Sequence, residues 1–475
     1  MSLTQEVSHG ASVYRPRSSA QTSLYKLLVE RFDHFEDIYP ERFTKSHGFY
    51  RQVISHVVRN YLWCGDLTQG FARVRCPDCH HEYLLAFSCR GRWFCPSCHE
   101  KKVVQFGEQL RENILYPLPH RQYVFSIPII LRKIFLYNRK LLSILCKAAA
   151  DSLLIFLRTV TGLKDGIVGA VMTIQTFGDY ARWHPHIHAI VADGLFRRNG
   201  VFYVMPKTSL KPLAELFRGR LLQLLVKEGV IDNSFVAMLM KWKHTSGFNV
   251  DNSVRIAKGD EKGITALAQY IIRNAFSMDK LSYNRDTGMV VYRSKMTHGK
   301  NKKNFSISTA DEFIADITQH IPDKSFQLVR YYGWYSNRMR GERRKLDGGD
   351  CSEEQKSETI DISKLTMLDV KDYKPRRIPP PLWRECIKKV WEVDPLICPH
   401  CQAEMKIISF IVERKVIRKI LTHLKLWSGN NIRGSPFWAA KLKSSSSHSR
   451  HERYYEPVDD GWPGYEEPVY NKDRW

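Results

Sequence analysis

The stretch from Ile167 to Phe196 limits the fold more than any other part of the chain. IVGAVMTIQTF and HIHAIVADGLF are two apolar, β-branched runs joined by the polar turn GDYARW, the pattern of two strands in a hairpin. Side chains alternate across an extended strand, so His184, His186 and His188 fall on one face and Ile187 points into a core on the other. The neighbouring segments read consistently with this. QYVFSIP, from Gln122, is a buried strand. Leu142, Leu145, Cys146, Ala149, Leu153, Phe156, Leu157 and Val160 recur at steps of three and four, the stripe of a long amphipathic helix. Helical spacing returns at Leu213–Val230 and around Ile264–Ala275. The order strand, helix, strand, strand, helix, helix predicts an α+β domain, a mostly antiparallel sheet with covering helices.

Three imidazoles aligned on one strand face can share a divalent ion. Two protein nitrogens, from His186 and His188, leave coordination positions open, which suits a metal that binds a phosphate oxygen, Mg²⁺ or Mn²⁺. A third ligand is needed, and Gln175 on the preceding strand and His184 are both candidates. Phosphodiester cleavage with rejoining also needs a covalent nucleophile. Tyr270, in ITALAQYIIRNAF, lies at the edge of the stripe Ile264, Leu267, Ala268 and Ile271, with Asn274 one helical turn further on the same side. The plainer role for Tyr270 is to anchor its helix to the sheet. RYYGWYS competes through Tyr331 and Tyr335, although Gly333 between them weakens a helix there.

Charge narrows the partner. Lys and Arg number 73 against 49 Asp and Glu, a formal net charge of +24, which points to a polyanion, nucleic acid or an anionic membrane. Apolar runs are short or interrupted by Lys147 and Asp151, so no membrane span is expected, and the first twenty residues lack a signal-peptide core. A cytoplasmic protein follows, with nucleic acid as partner. In that compartment the 11 cysteines stay reduced, and close pairs point to metal. Cys76 and Cys79 form one CxxC, Cys95 and Cys98 another, with fifteen residues between the pairs. That spacing predicts one structural Zn²⁺ in a zinc-ribbon-like domain, closed by four thiolates. Cys64, Cys89, His80, His81 and His99 are additional or alternative ligands. Flanking Arg73, Arg75, Arg90, Arg92, Lys101 and Lys102, with Trp93 and Phe94 among them, suit DNA phosphates and bases, or form a solvated basic face. A further CxxC, Cys398 and Cys401 in ICPHC, is half a site that Cys386, His400 or His423 could complete.

These signals divide the chain into an N-terminal helical region (1–63), a zinc-binding domain (64–104), a catalytic domain (118–310), a basic helical extension and linker (311–380), a small C-terminal unit with the last CxxC (381–437) and a disordered tail (438–475). The linker contains the charged stretch GERRKLDGGDCSEEQKSE and ends at the Pro-rich KPRRIPPPLW. The tail is Ser-rich, then acidic and aromatic.

Across CGDLTQGFARVRCPDC, FSCRGRWFCPSC, QTFGDYARWHPHIHAIVADG, HTSGFNV, QYIIRNAFS, HIPDKSFQLVRYYGWYSNRMRG and DPLICPHCQAEMKII, in this order between about Tyr14 and Trp427, the chain resembles the insertion-sequence-91 family of rolling-circle transposases. The resemblance implies an N-terminal zinc-binding domain and a palm-like antiparallel sheet. It places the family's HUH metal pair on His186 and His188, and its nucleophile on Tyr270. Founding members have two tyrosines four residues apart, whereas Asn274 stands at the second place here. The chain is thus similar to the single-tyrosine branch, which includes the common-region elements. In related single-tyrosine enzymes the third metal ligand is an amide one turn past the nucleophile, which adds Asn274 to Gln175. The implied activity is nicking and rejoining of single-stranded or melted transposon ends through a 5′-phosphotyrosine link. Each active site then holds one covalent strand, so a two-strand exchange recruits a second protomer, as in a homodimer, or reuses Tyr270. A plasmid replication initiator or relaxase would share this chemistry. A zinc-dependent DNA-binding regulator would need none of it.

Overall fold

The computed structural model describes residues 19–241, 247–293, 304–346, 365–376, 378–379 and 382–427. The expected disordered tail and most of the charged linker lie outside them. The chain divides into two compact units, residues 1–65 with 88–404, and residues 66–87 with 405–475.

The larger unit is built on one antiparallel sheet. Its strands are β1 (His120–Ser126), β2 (Gly169–Phe177), β3 (Trp183–Ala192), the short β4 (Asn249–Asp251) and β5 (Arg255–Ile256), and β6 (Val329–Gly333). The order is β6-β2-β3-β1-β4, with β5 also on β1. The hairpin expected at 167–196 is β2 and β3, in a register that sets Gln175 opposite His186 and Thr173 opposite His188. RYYGWYS is no helix: it contributes the edge strand β6, which ends at Gly333 (φ 55°), where a Cβ would lie 1.9 Å from the Val168 carbonyl oxygen. The sheet therefore runs past the expected catalytic boundary at 310.

Alternation decides what each face does. Tyr123, Phe125, Ala170, Met172, Ile174, Ile187, Ala189 and Val191 point to one side and join the apolar stripes of two helices, α4 (Leu141–Thr161) and α5 (Lys211–Lys227). Full burial of such a side chain contributes about 1.5–3 kcal/mol, so this layer fixes the register of β3. The opposite face carries Gln122, Thr173, Gln175, His186 and His188, all buried.

A second core of the same unit joins the N-terminal helices α1 (Ser23–Arg42) and α2 (Gln52–Leu62) to the hairpin Leu281–Asn284/Met289–Arg293 and to α7 (Ala310–Thr318). Arg31 pairs with the buried Asp311 at 3.0 Å, and Arg51 reaches Asp323 and the Ile321 carbonyl at 2.8 Å each. The helical region expected at 1–63 therefore shares its core with residues 275–321 instead of standing as a separate module. Helix α6 (Glu261–Ile271) lies against the polar sheet face, and α3 (Pro96–Asn113) packs against α6.

The smaller unit is a three-stranded antiparallel sheet in which Phe71–Arg75 lies between Glu82–Ala86 and Lys406–Ile411. The helix Arg414–His423 covers it, with Ile417 and Leu421 on Phe71. The expected zinc segment 64–104 is thus divided, its first strands pairing with a segment more than three hundred residues later. No helix among the described residues is long and apolar enough to cross a membrane.

Candidate active site and metal centre

The histidine pair occupies the middle of the polar sheet face. His186 and His188 are 8% and 4% exposed, and their Nε2 atoms face each other at 3.0 Å. The Nδ1 of His186 lies 2.7 Å from the His184 carbonyl oxygen; a carbonyl only accepts, so Nδ1 carries the proton and Nε2 of His186 presents its lone pair to His188. The Nδ1 of His188 is held at 2.9 Å by the amide of Gln122, which sequence reasoning had missed. Burial pushes His186 and His184 down to about 4; burial, then the His186 and Arg273 charges, pushes His188 down to about 2. Both members of the pair are neutral imidazoles at pH 7, the form that ligates metal. Metal–nitrogen bonds of about 2.1 Å at right angles put two nitrogens about 3.0 Å apart, the separation seen here.

Gln175 and His184 flank the pair. The Nε2 of Gln175 donates to the Ile271 carbonyl at 2.8 Å and, more weakly, to that of Tyr270 at 3.4 Å. Its Oε1 is buried without a hydrogen-bond partner, as is Nε2 of His184. Such orphaned buried groups mark strain, catalysis or a missing ion. Asn274 does not join them, which corrects one of the expected third ligands. Helix α6 stops at Ile271, so Asn274 is off the helix; its Nδ2 donates to the Phe94 carbonyl at 3.4 Å and its Oδ1 accepts from Ala275 N at 3.0 Å.

Tyr270 stands at the end of α6. Asp260 caps the helix by accepting from Gly263 N at 2.8 Å, and Ile264, Leu267, Ala268 and Ile271 form its buried stripe. Gly107 in α3 allows α6 close, since a Cβ there would meet Gln269 Cγ at 3.3 Å. Tyr270 is left 41% exposed, with its ring edge-to-face on His188 at 5.5 Å between centroids and the Arg273 guanidinium 4.5 Å from its ring centre. The rivals Tyr331 and Tyr335 are buried, and Tyr335 bonds His120 at 2.8 Å.

Two other buried histidines, outside the pair, fasten the site. His320 donates from Nε2 to the Ala181 carbonyl at 2.6 Å and accepts from Thr176 at 2.9 Å, clamping a β2–β3 turn in which Tyr180 and Ala181 both have φ 56°. His99 accepts from Trp93 N at 3.1 Å and donates to the Ile272 carbonyl at 2.7 Å. With both ring nitrogens used by backbone, His99 is not one of the metal ligands considered for it.

The cysteine grouping is corrected. Cys95 and Cys98 lie with Cys64 and Cys89, all four sulfurs within 4.8 Å of one another, and not with Cys76 and Cys79. The sulfur–sulfur distances are 3.7 Å for Cys64–Cys98 and Cys89–Cys98 and 3.8 Å for Cys64–Cys95. Four thiolates about 2.3 Å from a tetrahedral Zn²⁺ stand about 3.8 Å apart, so the donor set and its spacing both fit zinc. Cys76, buried, and Cys79, exposed, occupy the turn after Phe71–Arg75 in the smaller unit. Cys398 and Cys401 form a tight knuckle closed by Cys398 N to the Ala403 carbonyl at 2.9 Å, while Cys386 accepts from Gln105 at 3.2 Å. Of the basic residues, Arg73 is paired through two bonds with Glu82, at 2.5 and 2.9 Å, which neutralises it within its sheet; Arg75 and Arg90 are exposed, and Arg92, Lys101 and Lys102 half-buried.

Residues 34–127 match a family model described as "Transposase zinc-binding domain", a range that includes all four cysteines of the quartet, and residues 169–343 match one described as "Putative transposase". The "Transposase for insertion sequence element IS801" of Pseudomonas savastanoi pv. phaseolicola is 29% identical over 318 residues, covering 62% of this chain and 74% of that protein. The "Putative transposase y4qJ" of Sinorhizobium fredii (strain NBRC 101917 / NGR234) is 27% identical over 331 residues, covering 64% and 80%. No solved structure gives a significant match.

Proposed function

The chain belongs to the insertion-sequence-91 family of transposases, and from that footing we propose that it nicks and rejoins single-stranded transposon ends through Tyr270, by a rolling-circle-like route. The observation that carries this reading is the pair of facing Nε2 atoms, 3.0 Å apart, with the Tyr270 ring beside them. His186, His188 and the oxygen of Gln175 would hold Mg²⁺ or Mn²⁺, which when bound polarises a phosphate oxygen. Gln175 is favoured because its amide nitrogen is already engaged by the end of α6, leaving its unpartnered oxygen as the acceptor on the strand beside His186.

In this reading the exposed Tyr270 attacks the scissile phosphorus. Its phenol proton passes to water at the exposed face of the ring, a P–Oη bond forms, and the P–O3′ bond breaks. The departing oxygen takes up a proton as a free 3′-OH, and the strand remains on Tyr270 by its 5′ phosphate. The link conserves the bond energy, so attack by another 3′-OH reverses the step and rejoins DNA without ATP. Arg273, over the tyrosine ring, offsets negative charge on the phosphate and the phenolic oxygen. Cys64, Cys89, Cys95 and Cys98 hold the structural Zn²⁺ of the matched zinc-binding domain.

Incubation with single-stranded end DNA and Mn²⁺, read on a denaturing gel, tests the reading. Wild type should give a covalent protein–DNA adduct and Tyr270→Phe none, while His186→Ala should lower the yield by on the order of a hundredfold or more. An adduct that persists in Tyr270→Phe removes the nucleophile assignment; no adduct in wild type removes the enzymatic mechanism.

A further inference from the structure

The protons around the histidine pair can be counted. With the Gln122 amide nitrogen 2.9 Å from Nδ1 of His188, that N–H donates and Nδ1 accepts. A neutral imidazole carries one proton, so His188 keeps its own on Nε2 and donates it to Nε2 of His186, 3.0 Å away. His186 in turn donates from Nδ1 to the His184 carbonyl at 2.7 Å. The result is a directed chain, Gln122 to His188 to His186 to backbone, in which every buried donor has an acceptor.

Such a chain is closed to metal, because Nε2 of His188 bears hydrogen. Ligation through both Nε2 atoms requires the His188 proton to leave Nε2 and reside on Nδ1, where it must find an acceptor in a site that is almost fully buried. Gln122 is the group in contact with Nδ1, and a half-turn of its amide replaces N–H by the Oε1 acceptor. A carboxylate could not serve both states, because it only accepts, and an apolar side chain does neither.

On the metal reading above, we propose that Gln122 is a positioning residue that sets the His188 tautomer. Its amide presents N–H to Nδ1 in the metal-free protein and turns to present Oε1 when a divalent ion occupies the pair. The proton count is unchanged, one proton leaving Nε2 and one arriving on Nδ1 by exchange with water. Partners of this kind orient ligating histidines, and losing one typically costs about 10- to 100-fold in metal affinity.

The test uses the full chain with its cysteine-bound zinc retained, Mn²⁺ as the probe, and free Mn²⁺ read by electron paramagnetic resonance. Gln122→Leu should weaken Mn²⁺ binding about 10- to 100-fold, whereas Gln122→Glu, which only accepts, should bind as tightly as wild type or tighter. Nitrogen-15 spectra of His188 should show the Nε2–H tautomer without metal and the Nδ1–H tautomer with saturating Mg²⁺. Wild-type affinity in a folded Gln122→Leu, or an Nδ1–H tautomer already present without metal, overturns the role of Gln122 while leaving the metal pair intact. Absence of Mn²⁺ binding in wild type overturns the metal reading itself. If Gln122→Leu fails to fold, the tautomer spectra and Gln122→Glu still decide.

Discussion

Tyr270 is open to solvent on one side and touches His188 on the other, while Asn274, four residues on, faces the backbone of Phe94. The two positions therefore do not share a face, and a tyrosine placed at 274 would not stand beside the first. Asn274→Tyr is expected to form at most one covalent strand per active site; denaturing electrophoresis of the double variant Tyr270→Phe/Asn274→Tyr checks it, and any adduct from that protein refutes the geometry. At this scale the juxtaposition of His186 and His188 was legible because a strand has a period of two and nothing else was needed to put them together. Gln175 was legible as their hairpin neighbour. Gln122 was not, because it comes from a strand more than sixty residues earlier and its only signal is to be a polar residue at the start of an otherwise apolar run.

The end of α6 is where local reasoning failed, and the cause is tertiary. Nothing in QYIIRNAF breaks a helix, yet the carbonyls of Tyr270 and Ile271 accept from Gln175 and that of Ile272 from His99. At Ile271 and Ile272 side-chain donors from β2 and α3 stand in for the next turn's amides, while the Tyr270 carbonyl also accepts from Arg273 N at 3.3 Å. His99 sits in the first turn of α3, next to Cys98, so the cysteine quartet is coupled to the segment that follows Tyr270. His99→Ala, with zinc content and circular dichroism unchanged, is expected to speed amide hydrogen exchange over 270–274 about 10- to 100-fold, the equivalent of about 1–3 kcal/mol for an unsatisfied buried carbonyl, and to lower adduct yield. Unchanged exchange there would refute the coupling. The pairing of the cysteines was illegible for a similar reason: the strand Phe71–Arg75 carries Cys76 into a sheet completed by Lys406–Ile411, a partner no local spacing announces.

Over the whole molecule, the same apolar burial that fixes the fold makes it sensitive to acid. Burial pushes His120 down to about 4 and His320 down to about 3, so both are neutral when folded. The unfolded chain takes up these protons below about pH 6.5, so the contribution is complete above that pH and is lost as pH falls toward the folded values. At 1.36 kcal/mol per pH unit, each site removes on the order of 2 kcal/mol by pH 5. Thermal unfolding should show Tm falling from pH 6.5 to 5, with a shallower slope in His320→Gln; a flat Tm in wild type would refute this. The α+β sheet was legible because long periodic segments dominate it, whereas the division into units was not, since it depends on chain crossings rather than on composition. One consequence follows from β3, where His186 and His188, the proposed metal ligands, alternate with Ile187 and Ala189 of the core. Any slip or loosening that spoils the pair also spoils the fold, while the exposed Tyr270 can be lost with the fold intact. As copies of such an element decay, inactive but well-folded descendants should accumulate first by losing Tyr270, the proposed nucleophile, so a stable product and an intact histidine strand do not together certify a copy able to move.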